Sequence, residues 1–388
     1  MATHTMDGYA LTESQIQRVA MTIAPKFLEM PVTLKFEQLK KYGINAITGI
    51  EFQQKQKRVK RGAGFTRPAK RGYNKGGTLI SIDEETLEVA VCRTHFSDHV
   101  ENYREMEDFH ILAERNFEDV ETARKMLYAG QSSAEDLVAN VYFGKRDNTV
   151  VDEEKKITGK YGVLSNYDGL FEQITKKKAA GKKIHVIETG SFTPVTDSSV
   201  STNWSIFKAF IMGLPPSFKK IINAVDNPQK AVVRVNMDPN MYADLLDSYT
   251  RTYTSQTPKE VSEIEVKFMN FPNVIVVANA LMGEGDLMYA TIDVEGESEF
   301  DLGVDSLNNA NSVEVNKNPF EPDEYMYDIK IAIGTRVMDT DHIVFNDGEN
   351  TFTASDYIGG VVDEDNDCTM VFSVAKGLYK VEATDEEP

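Results

Sequence analysis

Asp363-x-Asp365-x-Asp367 carries the alternating carboxylates with which a loop can wrap a calcium ion. Such a loop needs glycine at its sixth position and a bidentate glutamate at its twelfth. Those places hold Cys368 and Val374, so the stretch reads as a solvated acidic turn. His95 and His99 stand four apart, a spacing that on a helix would gather two imidazoles around zinc. The residues about them alternate as a strand does, which separates the pair, and His4, His110, His185 and His342 are scattered. Cys92 and Cys368 lack any metal or redox spacing and read as reduced thiols of a cytoplasmic product. No phosphate loop, dinucleotide fingerprint, nucleophile elbow or His-Glu-x-x-His is present. Acidic pairs suited to proton transfer exist among 61 Asp and Glu, but no motif frames one. The sequence therefore nominates no catalytic residue, no cofactor and no metal ligand.

The residues that stand out are cations. From Lys55 to Lys75 there are nine Lys or Arg and no acid, in a chain of net charge −19. Glycines and Pro68 argue against regular structure there. Three readings are open: a solvated loop, a nucleic-acid contact, or a contact with the acidic surface of a neighbouring copy. An acidic body bearing one basic projection is self-complementary when copies are arranged head to tail, which favours the last. The interface candidates are Lys57, Arg58, Lys60, Arg61, Arg67, Lys70 and Arg71.

The elements that would carry this projection are legible around it. TLISI and LEVAVCR have strand composition, with Asp83–Thr86 as a turn between them, so the basic segment feeds a long β-hairpin. Residues 105–144 read as a helix with a capping box at Ser132-x-x-Glu135 and a terminating Gly144. Thr12-x-x-Gln15 caps an earlier helix in an N-terminal arm. DGLFEQI is followed by a lysine-rich loop (KKKAAGKK) and a short strand, IHVIE. Asp197-Ser-Ser opens a helix with Trp204, Phe207, Phe210 and Ile211 on its core face, which Pro215-Pro216 ends. AVVRVNM, EIEVKF, NVIVVANAL and YMYDIKIAIGTRVM read as strands, and Pro239 opens a helix between the first two. This mixture is an α+β arrangement. With 388 residues, 41% of them apolar, the chain can build a sizeable core in two or three intergrown units. No apolar run nears the roughly 20 residues of a membrane span, and the polar N-terminus lacks the order of a signal peptide. The expectation is a soluble protein kept inside a cell.

The order of elements resembles the Hong Kong 97-type fold of tailed-phage major capsid proteins. SAEDLVANVYFGKRD is similar to the end of that family's spine helix, and DGLFEQI to the segment after that helix. KFMNFPNVIVVANALMGEGDLMYATIDV, VDSLNNANSVEVN and PDEYMYDIKIAIGTRVMDTDHIVF resemble its later strands and their return. On this resemblance residues 1–45 are an N-terminal arm and 46–105 an extended basic β-hairpin loop. Residues 106–195 hold the spine helix and the start of the peripheral domain. Residues 196–300 are mainly the axial domain, 301–345 the closing peripheral-domain strands, and 346–388 an acidic C-terminal extension without an assigned role. The resemblance implies self-assembly into pentamers and hexamers that form an icosahedral head in the virion. Its implied partners are further copies of the chain, a separate scaffold, portal and decoration proteins, and loosely held double-stranded DNA. Assembly would occur in the bacterial host cytoplasm, with no membrane involved. The rival readings are another phage structural protein, a nanocompartment shell and, from a different class, a soluble enzyme.

Overall fold

The computed structural model describes residues 39–50, 53–61, 80–99, 137–146, 166–196, 200–224, 230–254, 257–294, 298–304, 312–317, 324–353, 368–374 and 378–383. The capping boxes at Thr12 and Ser132, most of the 105–144 helix and the Asp363–Asp367 stretch lie outside them.

In chain order the strands begin with β1 (Ile44–Thr48), β2 (Gln53–Arg61), β3 (Ile80–Glu88), β4 (Ala90–His99), β5 (His185–Ile187) and β6 (Val232–Met237). Then come β7 (Lys259–Ser262), β8 (Glu265–Lys267), β9 (Val274–Ala278), β10 (Glu284–Gly285), β11 (Met288–Asp293) and β12 (Phe300–Val304). The last are β13 (Ser312–Lys317), β14 (Glu324–Val337), β15 (Ile343–Asn346), β16 (Glu349–Thr353), β17 (Cys368–Ser373) and β18 (Leu378–Ala383). The helices are α1 (Leu170–Ala179), α2 (Thr202–Gly213), α3 (Pro216–Ile222) and α4 (Pro239–Thr252), and residues 137–143 end another.

Seven strands, in the order β5-β15-β11-β6-β9-β8-β7, form one sheet. Alternation decides its two faces. Val233, Val235 and Met237 of β6, with Met288, Ala290 and Ile292 of β11, meet α2, α3 and α4 in one apolar cluster. Trp204 sits inside it, with ring centroids 4.7 Å from Tyr249 and 4.9 Å from Phe268. The opposite face carries Arg234, Asn236 and Tyr289, and polar groups continue behind it. Tyr142 Oη lies 2.8 Å from Tyr289 Oη and accepts a hydrogen bond from Asn279 at 2.7 Å.

The second cluster lies on that side. It joins α1 and residues 137–143 to a five-stranded sheet in which β14 pairs with β12, β13 and β4, while β1 runs parallel to β12. It also takes in Phe352 and Phe372 from a four-stranded sheet, β10-β16-β17-β18. Phe372 stacks on Phe171 with centroids 4.0 Å apart, and Phe352 on Phe143 at 5.1 Å. Part of the 346–388 stretch is thus built into the core rather than appended to it.

Several local expectations need correcting. Asp83–Thr86 is no turn: β3 runs straight through it, because its carboxylates face the cations of β2 across the ladder. The basic segment is regular as far as Arg61 for the same reason. Lys176–Lys178 form the last turn of α1 rather than a loop, where cations complement the helix dipole. Pro216 opens α3 as well as following α2, since a proline at the first helical position forfeits no bond. Asp238 caps α4, accepting from the amides of Asn240 and Met241. Gly144 does end its helix, and it is close approach rather than a left-handed backbone that calls for glycine there. A Cβ would meet the carbonyl oxygens of Tyr167 and Asn140 at 2.4 and 2.5 Å.

Candidate assembly surface

β2 and β3 form a two-stranded antiparallel ribbon, from Gln53 opposite Glu88 to Arg61 opposite Ile80. Its root is fixed to the body by three kinds of contact. Leu87 is fully buried against Gly303, where a Cβ would stand 2.5 Å from Ile50 and 2.6 Å from Leu87. Arg336, only 2% exposed, donates to Asp301 from Nε at 3.0 Å and Nη2 at 2.6 Å. The same guanidinium reaches the Gln54 carbonyl at 3.3 Å and the Gln56 side chain. Lys177 of α1 closes a largely buried ion pair with Glu85 at 2.6 Å. At the bend into β4 the ribbon crosses β14 so closely that a Cβ on Gly334 would lie 2.0 Å from the Glu88 carbonyl oxygen.

Beyond its root the ribbon is open. Gln53, Gln54, Lys55, Gln56 and Lys57 are all exposed, which puts both faces of β2 in solvent. A two-stranded ribbon on its own is marginal in water. Charge pairing within the ribbon helps to hold it. Lys55 Nζ is 3.0 Å and Lys57 Nζ 3.8 Å from Glu84, and Gln53 donates to Glu88 at 2.8 Å. The hydrogen bond and charge of Lys55, with Lys57 behind it, hold the Glu84 carboxyl below the usual carboxylate range. Along the whole ladder five cations of β2 face four carboxylates of β3, so the described ribbon is nearly neutral.

Of the interface candidates, Lys57 is exposed beside Glu84. Arg58, Lys60 and Arg61 lie on β2 opposite Asp83, Ser81 and Ile80. Arg67, Lys70 and Arg71 lie outside the described residues. Arg336, Asp301, Lys177 and Glu85 were not singled out from the sequence. The first three come from positions remote from the ribbon, but the acidic run opposite a basic one is a signal of cross-strand pairing that the sequence does hold.

The other ionisable groups tie strands together. Arg234 is caught between Asp293 and Glu265, each at 2.6 Å, and also donates to the Lys41 carbonyl at 2.5 Å. Burial alone would lower its pKa; the two carboxylates raise it instead. His342 Nδ1 is 2.7 Å from Glu299. His95 and His99 lie on β4, opposite Asp328 and Glu324. Burial pushes the Cys92 thiol up to about 12, against the opposing charge of Arg146, which keeps it from acting as a thiolate near neutral pH. Among the described residues no three His, Cys, Asp or Glu are grouped as a metal site, and no helix is long and apolar enough to cross a membrane.

No family model matches the chain. No curated protein matches it either. Solved structures are similar at a distance. A chain of the satellite phage P4 procapsid including size determination (Sid) protein aligns at 13% identity and TM-score 0.47, covering 81% of this chain and 90% of that one. The capsid of Myoviridae phage XM1 aligns at 11% identity and TM-score 0.44, over 80% and 91% of the two chains. The capsid of an empty GTA particle aligns at 8% identity and TM-score 0.43, over 89% and 93%. Identities and scores this low do not by themselves fix fold or function.

Proposed function

We propose that this chain is a shell subunit, the major capsid protein of a tailed bacteriophage with the Hong Kong 97-type fold. Copies assemble as pentamers and hexamers into an icosahedral head around double-stranded DNA. The observation that carries this reading is the ribbon β2–β3: anchored at its root by Arg336, Leu87 and Lys177, and open on both faces of β2 from Gln53 to Lys57. An element so placed contributes little to the fold of its own chain and much to contact with a neighbour. The order of elements adds support, from the ribbon through the helix ending at residue 143 to a mixed body closed by the 14-residue β14.

On this reading the chain performs no catalysis. Its partners are other copies of itself, a separate scaffold, and portal and decoration proteins, and it resides in the virion capsid after assembly in the host cytoplasm. A net charge of −19 keeps contact with packaged DNA loose. The domain scheme of arm, hairpin loop, spine helix, peripheral and axial domains belongs to the same proposal, as does a subunit contact made by the 55–75 segment. Many modest contacts, repeated at each copy, would give a closed shell its stability.

Negative-stain microscopy and sedimentation of the purified chain over a range of concentrations and salt test this. Hollow closed particles, tubes or sheets are expected. A strict monomer under every condition, with or without a co-expressed scaffold, overturns the proposal.

A further inference from the structure

We infer that the ribbon docks on a second copy of this chain through the apolar stretch at Ile82, and not through the cations of β2. This rests on the shell reading and says which chemistry makes the contact.

Two observations separate the possibilities. The cations of β2 already have partners in β3: Lys55 and Lys57 share Glu84, and Arg58 stands opposite Asp83 in the ladder. A charge matched in its own ribbon gains little from a second partner at the surface. Ile82, by contrast, is 56% exposed and belongs to neither buried cluster. It lies opposite Val59, so an apolar pair interrupts an otherwise charged ladder. It is two residues from Glu84, on the side of the ribbon that carries the Lys55–Glu84 pair. Glu85 and Leu87 turn to the other side, toward the body.

The occupant follows from charge. Residues 55–75 hold nine cations and no acid against −19 for the chain, which leaves −28 on the remainder. A partner for an apolar strip flanked by Lys60, Arg61 and the cations after them needs apolar surface within an acidic body. This chain supplies such a body. A nucleic acid would attract the cations too, but its phosphate backbone offers Ile82 nothing to bury against.

The test uses the full chain. A photo-crosslinking side chain in place of Ile82 is expected to give an adduct of twice the chain mass when the sample is irradiated as it assembles. Ile82→Ser and Ile82→Thr should raise the concentration needed for assembly about tenfold or more, with thermal melting of the free subunit unchanged. Lys55→Gln with Lys57→Gln should shift that concentration by less than about threefold. If Ile82→Ser and Ile82→Thr assemble at the wild-type concentration, or the adduct forms only with nucleic acid or within one chain, the inference is overturned while the shell reading stands. If the double lysine variant loses assembly and the Ile82 variants keep it, the contact is ionic and the inference fails. If the wild type never assembles, both fall together.

Discussion

At the scale of residues, most of the charged side chains that the fold buries are paired. Arg336 and Asp301 are 2% and 3% exposed and lie 2.6 Å apart. Removing one partner of such a pair strands the other. Arg336→Met should therefore cost about 3–5 kcal/mol in urea unfolding, and Arg336→Met with Asp301→Leu should recover a large part of it. A double variant no more stable than the single one would show that the pair itself was not the cause. Asp328 offers a pH signature. Burial alone would raise its pKa, but Arg93 at 2.6 Å and then Lys330 at 3.5 Å more than offset this and hold it below the usual range. A depressed carboxylate adds stability above its unfolded pKa of about 3.9 and loses that contribution as pH falls through the folded value. The difference in melting temperature between wild type and Arg93→Gln should be present at pH 6 and vanish below about pH 3. It should be small, under about 1 kcal/mol, because Arg93 is 60% exposed.

At the scale of elements, the ribbon is positioned by backbone proximity as much as by side chains. Gly334 lies where β14 passes under the β3–β4 bend, and no Cβ fits beneath the Glu88 carbonyl. Gly334→Ala should force that bend outward, destabilise the subunit by about 1–3 kcal/mol, and speed amide exchange through Ile80–Glu88. Unchanged exchange in that strand would mean that the crossing has room for a methyl group. The sequence showed this glycine only as a break in an apolar run. That its role is to let another strand cross depends on Glu88, which is 246 residues away in the chain.

At the scale of the whole molecule, each copy carries −19, and copies brought together repel through most of their surface. With the described ribbon close to neutral, the screening of that repulsion outweighs the loss of ionic attraction. Raising salt from about 0.05 to about 0.5 M, where the screening length shrinks from above 10 Å to near 4 Å, should lower the concentration at which assembly begins. Light scattering against concentration at each salt level measures this. Assembly weakened by salt would instead assign the contact to the cations of the 55–75 segment.

Composition and alternation alone determined that the chain is an α+β protein with a sizeable core. They also located β6, β9, β14 and α4 and marked the basic run as its sharpest anomaly. These are local properties: apolar periodicity tells a strand from a helix wherever one face is buried. Tertiary structure decided what the periodicity could not carry. It turned Asp83–Thr86 from a turn into a strand, because the cations that make an acidic strand tolerable lie 25 or more residues earlier in the chain. It drew Phe352 and Phe372 from an acidic tail into the main core, where rings of distant helices were waiting to stack on them. It also left Ile82 in water. Nothing in the local pattern distinguishes Ile82 from the buried Leu87, five residues on, because which face of a ribbon meets the body is fixed only when the body is there.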